Sequence, residues 1–198
     1  MLVREIRTAQ IIPFNTQQAD LAQSTDMIVE GYAVTYNSPT LMFEQDGIQY
    51  FEVIAQGALD GADLTDVPFK YNHSDSVMIM ARTRTKSLEL LTDEKGLYVR
   101  AKLADTQQGK DLFKLIQLGE VDKMSFAFTV LEEAYNKDTR TRTITKIKKL
   151  YDVSAVDIPA YDTTSISARN FFEVEIEKEK KAKDLANLRK KLLLKTYF

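Results

Sequence analysis

Short segments in which apolar and polar residues alternate recur along most of this chain, and they constrain its fold more than any other feature. Residues 26–36, DMIVEGYAVTY, alternate in this way up to the turn residues NSPT, and residues 48–54, IQYFEVI, repeat the pattern. Alternation with a period of two is typical of a strand that buries one face. The chain is therefore predicted to be mainly β.

Several further segments also have strand character. The stretch KSLELLTDEKGLYVRAKL, residues 86–103, predicts a hairpin with DEKG as its turn. Other strands are predicted at residues 67–72, 76–85, 125–136 and 141–158. Many short strands with few helices favour a small barrel or a sandwich-like mixed fold. We predict an α+β fold, mainly β, built as a small closed or partly open β-barrel with flanking helices.

One internal segment has the pattern of a helix. Residues 105–121, DTQQGKDLFKLIQLGEV, place Leu112, Leu115 and Ile116 on one face. Asp105 or Thr106 can cap the start of this helix, and Gly119 can end it.

The last part of the chain differs from the rest in charge. Residues 177–198 carry eight Lys or Arg against three acids, a balance of +5, which leaves −7 for residues 1–176 of a chain with net charge −2. Leu185, Leu188 and Leu192 fall at helical spacing there. We predict a body at residues 1–172 and a basic amphipathic helical tail at residues 173–198. The tail either packs on the body or pairs with a partner.

Composition excludes several classes of site. The chain has no Cys and one His. Disulfides and thiol catalysis are therefore excluded, and a zinc site is disfavoured because zinc takes several N or S ligands. We expect no metal and no cofactor. The first residues, MLVREIRTAQIIPF, lack the apolar core of a signal peptide, and no apolar run approaches the length of a membrane span. A cytoplasmic protein without a membrane partner is expected.

Three residues are candidates for a nucleophilic site. His73 is the sole imidazole and lies in a polar turn between two apolar segments. Ser125 begins an apolar strand just past the predicted helix, and Asp152 interrupts another apolar strand. Each residue also has a non-catalytic explanation. A lone His is often an ordinary surface or core residue, a Ser at the start of a strand is usually structural, and an acid at a strand edge is usually solvated. Spacing does not show that these three residues meet.

The residues of these segments and their order along the chain resemble the prohead maturation protease family of tailed bacteriophages, relatives of the herpesvirus assemblin serine proteases. The likeness covers roughly residues 28–169. It is carried by VEGYAVTYNSPT, FEVIAQGALDG, VPFKYNHSDSVMIMART, LTDEKGLYVRAKL, TQQGKDLFKLIQLGEVDKMSFAF and YDVSAVDIPAYDTTSI. The resemblance implies a herpesvirus-protease-like fold and a serine endopeptidase.

The resemblance also implies a role for each candidate. His73 would be the general base, Ser125 the nucleophile, and Asp152 would orient the histidine where the family usually has Glu. Asp75 and Asp157 are the alternative acids. Arg82 or Arg84, on the strand after His73, would support the oxyanion. The chain departs from the family pattern at Ala81, which stands in place of Gly, at Leu59, which stands in place of an aromatic residue, and at the shorter acid.

The implied function is cleavage of scaffold protein or of the scaffolding arm of the major capsid protein, and of the protease itself, inside the procapsid in the host cytoplasm. A homodimer is a further implied possibility. The alternative is a catalytically silent scaffold or coat-assembly protein on the same fold. A nucleic-acid binder is favoured by the basic tail, but the acidic body and the lack of interleaved aromatic residues argue against it.

Overall fold

The structure, a computed structural model, describes residues 4–10, 26–157 and 166–196. Ten strands, two α-helices and one short 3-10 helix (Thr83–Thr85) are found in these ranges. The strands are β1 (Arg4–Gln10), β2 (Ile28–Thr35), β3 (Thr40–Gln45), β4 (Ile48–Ile54), β5 (Pro68–Tyr71), β6 (Ala81–Arg82), β7 (Leu88–Thr92), β8 (Gly96–Lys102), β9 (Lys123–Asn136) and β10 (Thr141–Val156). The helices are α1 (Gln107–Leu118) and α2 (Ile166–Thr196). The prediction of a mainly β fold with α+β composition is confirmed.

The strands form two sheets. The larger sheet has the order β1-β9-β10-β4-β3, with β5 and β6 attached beside β10. The smaller sheet has the order β2-β8-β7. β2 lies against β1 and β9, but no hydrogen-bonded ladder joins it to them within the described residues. The sheets therefore do not close, and the expected barrel is not confirmed.

β10 organises the larger sheet. It pairs antiparallel with β9 along almost its whole length, and parallel with β4 near its start and with β5 near its end. Its last residues, Val153, Ala155 and Val156, are buried in the core. Because β5 leads into His73, the β5–β10 pairing brings the turn that follows β5 to the end of β10.

The core lies between the two sheets and α1. Phe69, Leu97, Phe126 and Leu150 are fully buried there. α1 begins at Thr106, whose side chain accepts a hydrogen bond from the Gly109 amide, and it ends at Gly119 with φ 77°. Gly is favoured at that position because it adopts the left-handed conformation without steric cost.

The second helix is longer than the predicted tail. α2 runs from Ile166 to Thr196 without interruption across the expected boundary at residue 172. Phe172 is fully buried against Met42 and Tyr50, in a cluster separate from the main core. In contrast, Leu185, Leu188, Leu192 and Leu193 are 51–61% exposed. In the described part of the chain, neither helix is both long and apolar enough to span a bilayer.

Candidate active site

A left-handed turn presents His73. Asn72 and His73, which follow β5, have φ of 50° and 54°. The Asn72 amide donates to the Ala155 carbonyl at 2.9 Å, and the His73 amide donates to the Ser154 hydroxyl at 3.2 Å. Two consecutive non-glycine residues in this region are costly unless neighbouring structure fixes them, and such positions concentrate at functional sites. Here β10 fixes them.

The imidazole of His73 lies against the hydroxyl of Ser125. His73 Nε2 is 2.7 Å from Ser125 Oγ. Ser125 belongs to β9, and its cross-strand partners are Thr8 on β1 and Ser154 on β10. Its residue surface is 1% exposed, and the His73 side chain is 12% exposed. The sole imidazole and the strand-start serine are therefore within hydrogen-bond distance, although they are 52 positions apart.

Asp152 contacts the other side of the imidazole ring. Its Oδ1 lies 2.5 Å from His73 Nδ1, and its side chain is 1% exposed. The β9–β10 ladder changes register between Leu150 and Asp152, as at a β-bulge, and such an irregularity re-aims a side chain. The short aspartate thus reaches the histidine directly.

The surroundings of Asp152 favour its charged form. Burial by itself would raise the pKa of this carboxyl, but the hydrogen bond and charge of His73, the charge of Arg4 and the hydrogen bond of Ser154 outweigh burial and lower the pKa of Asp152. An ionised Asp152 is an acceptor for an Nδ1–H group. This contact selects the tautomer in which Nε2 is available to the serine.

Ser154 is a site residue that was not singled out from the sequence. Its fully buried hydroxyl lies 3.2 Å from His73 Nδ1 and donates to Asp152 Oδ1 at 3.1 Å. The signal was present, since Ser154 stands two residues after Asp152 on the same strand and side chains at that spacing share a face.

The alternative acids and the two arginines have polar partners other than the imidazole. Asp75 is exposed and pairs with Lys70 at 2.5 Å, and Asp157 accepts from the Tyr71 hydroxyl at 2.7 Å.

Arg82 binds Asp66 through two nitrogens, at 2.5 and 2.8 Å, and Arg84 lies 3.8 Å from the same carboxylate. Among the described residues, the side chains of Arg82 and Arg84 make their ionic contacts with Asp66, and none of these contacts reaches Ser125 or His73. The oxyanion role expected for Arg82 or Arg84 stays a prediction.

β1 was also missed, and it contacts the site at two points. The carbonyl of Arg7 accepts from Ser125 Oγ at 2.7 Å, and the Arg4 guanidinium pairs with Asp152. The strand was not predicted because Glu5 and Arg7, on the face opposite Arg4, are charged although they are buried. Sequence patterns predict apolar residues at such positions.

A buried ionic network explains how these charges are tolerated. Arg7 pairs with Glu5 and Glu52, while Arg142 pairs with Glu5 and Glu52 at 2.9 Å and also with Glu133. Burial raises the pKa of Glu5, but the hydrogen bonds and charges of Arg142 and Arg7 outweigh it, so the pKa of Glu5 is lowered. Buried charges persist when they are paired in this way.

Across the described residues, no three His, Cys, Asp or Glu side chains come together as a metal-binding cluster. The chain brings together a hydroxyl, an imidazole and a buried carboxylate, with the imidazole between the other two. Serine proteases use this arrangement.

Comparison with known proteins places the chain in a family. A model of the caudovirus prohead serine protease family matches residues 13–188, and the chain belongs to that family. It is 30% identical over 145 residues to the prohead protease of Enterobacteria phage HK97, a match that covers 71% of this chain and 59% of that protein. The chain thus spans less than two thirds of the length of this relative.

A solved structure is also similar. The bacteriophage T4 capsid assembly protease matches 80% of this chain and 98% of its own, with 13% sequence identity and a TM-score of 0.46.

Proposed function

We propose that this protein is a serine endopeptidase of phage head maturation, with Ser125 as nucleophile, His73 as general base and Asp152 as the group that orients His73. The observation that carries the proposal is the pair of contacts on one imidazole: Nε2 at 2.7 Å from Ser125 Oγ, and Nδ1 at 2.5 Å from Asp152 Oδ1. Membership of the prohead protease family supports it.

The chemistry follows from these contacts. As Ser125 Oγ attacks the scissile carbonyl carbon, its proton passes to His73 Nε2, which converts a weak nucleophile into a reactive one. The same proton then goes to the leaving amine, and an acyl-enzyme remains. Water, deprotonated by His73, hydrolyses that ester and restores the serine. The ionised Asp152 holds Nδ1–H throughout and stabilises the imidazolium between the two proton transfers.

The proposed substrates are the scaffold protein or the scaffolding arm of the major capsid protein, and the protease itself, cleaved inside the procapsid in the host cytoplasm. Support comes from the family and from the matched HK97 relative, which is a prohead protease. The silent assembly protein is the less favoured reading, because a protein without activity has no need of a strained His73 turn and a buried, ionised Asp152.

We also propose that residues 173–198 act as a basic tail used in packaging or self-processing. The exposure of Leu185, Leu188 and Leu192, at 51–57%, supports a role for this half of α2 outside the packed body. Because α2 is continuous from Phe172 into these residues, the proposed tail would extend from the body as an unbroken helix.

Coexpression with the coat and scaffold proteins of the same phage tests the proposal. The wild type is expected to generate new protein termini, read by mass spectrometry, while folded Ser125→Ala and His73→Ala generate none. Lys137→Ala, an exposed change in the turn between β9 and β10, serves as the control. Processing by either folded site variant would remove that residue from the mechanism, and no processing by the wild type would favour the silent assembly protein.

A further inference from the structure

β1 covers the edge of β9, the strand that carries Ser125, on the side opposite β10. It pairs antiparallel with β9 from Arg4 opposite Thr129 to Gln10 opposite Lys123, and it is the edge strand of the larger sheet. On the other side, β9 is covered by β10. If β1 leaves, the backbone groups of β9 next to Ser125 become open to another extended chain, because an uncovered strand edge offers unpaired N–H and C=O groups.

The contact between β1 and Ser125 opposes proton transfer. Ser125 Oγ lies 2.7 Å from the Arg7 carbonyl and also 2.7 Å from His73 Nε2. A hydroxyl has one proton, and a carbonyl oxygen can only accept. While the Ser125 proton is directed to Arg7, His73 Nε2 cannot take it. β1 therefore competes directly with the general base.

A second contact from β1 acts on the orienting acid. The Arg4 guanidinium pairs with Asp152 Oδ2, while His73 uses Oδ1 of the same carboxylate. The positive charge of Arg4 offsets the negative charge that would stabilise an imidazolium. Both contacts belong to one strand, so both would be released in one movement.

The ionic network around Arg7 and Arg142 divides so that each arginine keeps a carboxylate partner when β1 leaves, whereas the Arg4–Asp152 pair is broken. Arg7 and Glu5, both on β1, pair with each other. Arg142 keeps Glu52 at 2.9 Å and Glu133, all three on the body. Breaking a buried ion pair is costly mainly because an unpaired charge remains. Here each part retains its own pairs after separation.

We propose that the β9 edge from Lys123 to Thr129 is an exchangeable strand-binding surface, held by β1 in this structure and taken by an extended substrate segment in the active state. The inference rests on the proposed function and deepens it. The partner it fits is an extended peptide segment that pairs through its backbone, as in strand addition to a sheet edge. In the β1-bound form the enzyme is held inactive.

A reversible disulfide tests the exchange on the full chain. Ile6 and Ala127 are cross-strand partners, and such partners have Cα atoms about 4.5–5.5 Å apart, within the range a disulfide spans. The chain has no Cys of its own, so the variant Ile6→Cys/Ala127→Cys contains only the engineered pair. The matched control, Glu89→Cys/Arg100→Cys, joins cross-strand partners of β7 and β8 in the other sheet.

The readout is labelling of Ser125 by an alkyl fluorophosphonate, in which Oγ bonds to phosphorus and fluoride leaves. The oxidised lock is expected to label at least about tenfold more slowly than the same protein after reduction, because activity scales with the fraction in the open form. The control disulfide should label equally in both states. Equal rates for the oxidised and reduced lock would overturn the exchange while leaving the proposed function intact.

A second variant is expected to change the labelling rate of Ser125 in the opposite direction. Arg4→Ala removes the contact with Asp152 and should label about twofold to fivefold faster, the range that a partly exposed ion pair supports. Arg100→Ala, which removes a comparable pair with Glu30, should leave the rate unchanged. An unchanged or lower rate for Arg4→Ala would contradict the restraint by β1. Absence of Ser125 labelling in every form, including the reduced lock and Arg4→Ala, would overturn the proposed function and this inference with it.

Discussion

Ser125 and Ser154 are direct cross-strand partners on β9 and β10, and their two hydroxyls lie at opposite nitrogens of the same imidazole. Ser125 Oγ is 2.7 Å from Nε2, and Ser154 Oγ is 3.2 Å from Nδ1. One rung of the ladder thus supplies both the proposed nucleophile and a group that steadies the proposed base.

Ser154→Ala is expected to lower kcat about twofold to tenfold, because a hydrogen bond contributes about 0.5–1.5 kcal/mol and 1.4 kcal/mol corresponds to a factor of ten. Ser154 contacts His73 at Nδ1, the ring nitrogen away from Ser125, and Asp152, so we expect the change to act on kcat and to leave KM nearly unchanged. Steady-state kinetics over a pH series is the measurement. A matched loss in stability with no change in kcat would make Ser154 a purely structural residue.

Asp152→Asn is expected to cut turnover by up to ~10⁴-fold, the size of the effect when an amide selects the wrong histidine tautomer in a serine-protease triad. The direct contact with His73 Nδ1 is the reason. Fluorophosphonate labelling should fall in parallel. A loss of tenfold or less, with the pH dependence of the wild type, would show that Asp152 is not the orienting group.

Glu5→Gln should lower the free energy of unfolding at pH 7 by about 1.5–3 kcal/mol, the range for a hydrogen bond to a charged group. Because the pKa of Glu5 is lowered in the folded state, its contribution is present above the ordinary carboxyl pKa and is lost as the pH falls through the lowered value. Urea unfolding at pH 7 and at acid pH should therefore show the difference shrinking at acid pH. Glu89→Gln, at an exposed position on β7, is the control, and a difference independent of pH would contradict the ionic role.

Phe172→Ala should destabilise the protein by about 3–5 kcal/mol, as expected for a large aromatic side chain removed from a packed cluster. Leu188→Ala should have an effect within about 0.5 kcal/mol, because Leu188 is 54% exposed. Urea unfolding of the two variants measures the difference. Similar losses for both would mean that the outer half of α2 is packed on the body in solution.

Local signals in the sequence account for the elements that were predicted well. The hairpin of β7 and β8 and the cap residues of α1, Thr106 and Gly119, depend on neighbours within a few positions. Turn chemistry and helix capping are local effects, so they can be read from the residue order.

Long-range pairing accounts for what was missed. Residues 76–85 were predicted as a strand, but only Ala81 and Arg82 pair in a ladder, since residues 76–80 are irregular and a 3-10 helix begins at Thr83. The charge of Arg82 is taken by Asp66, 16 positions away. Sheet closure and the partners of β1 likewise depend on contacts between distant segments, which periodicity does not specify.

The parallel pairing of β10 with β5 also determines how late in synthesis the site can form, because β10 is made long after β5. His73 and Asp152 are 79 positions apart, so at about 5–20 residues per second a ribosome needs roughly 4–16 s to synthesise the chain between them. Strand pairings between distant segments also form late in folding. A nascent chain that has just released Ser125 therefore has a nucleophile and an imidazole without the acid and hydroxyl that β10 supplies. The order of synthesis by itself therefore denies a complete site to any nascent chain that has not yet released β10.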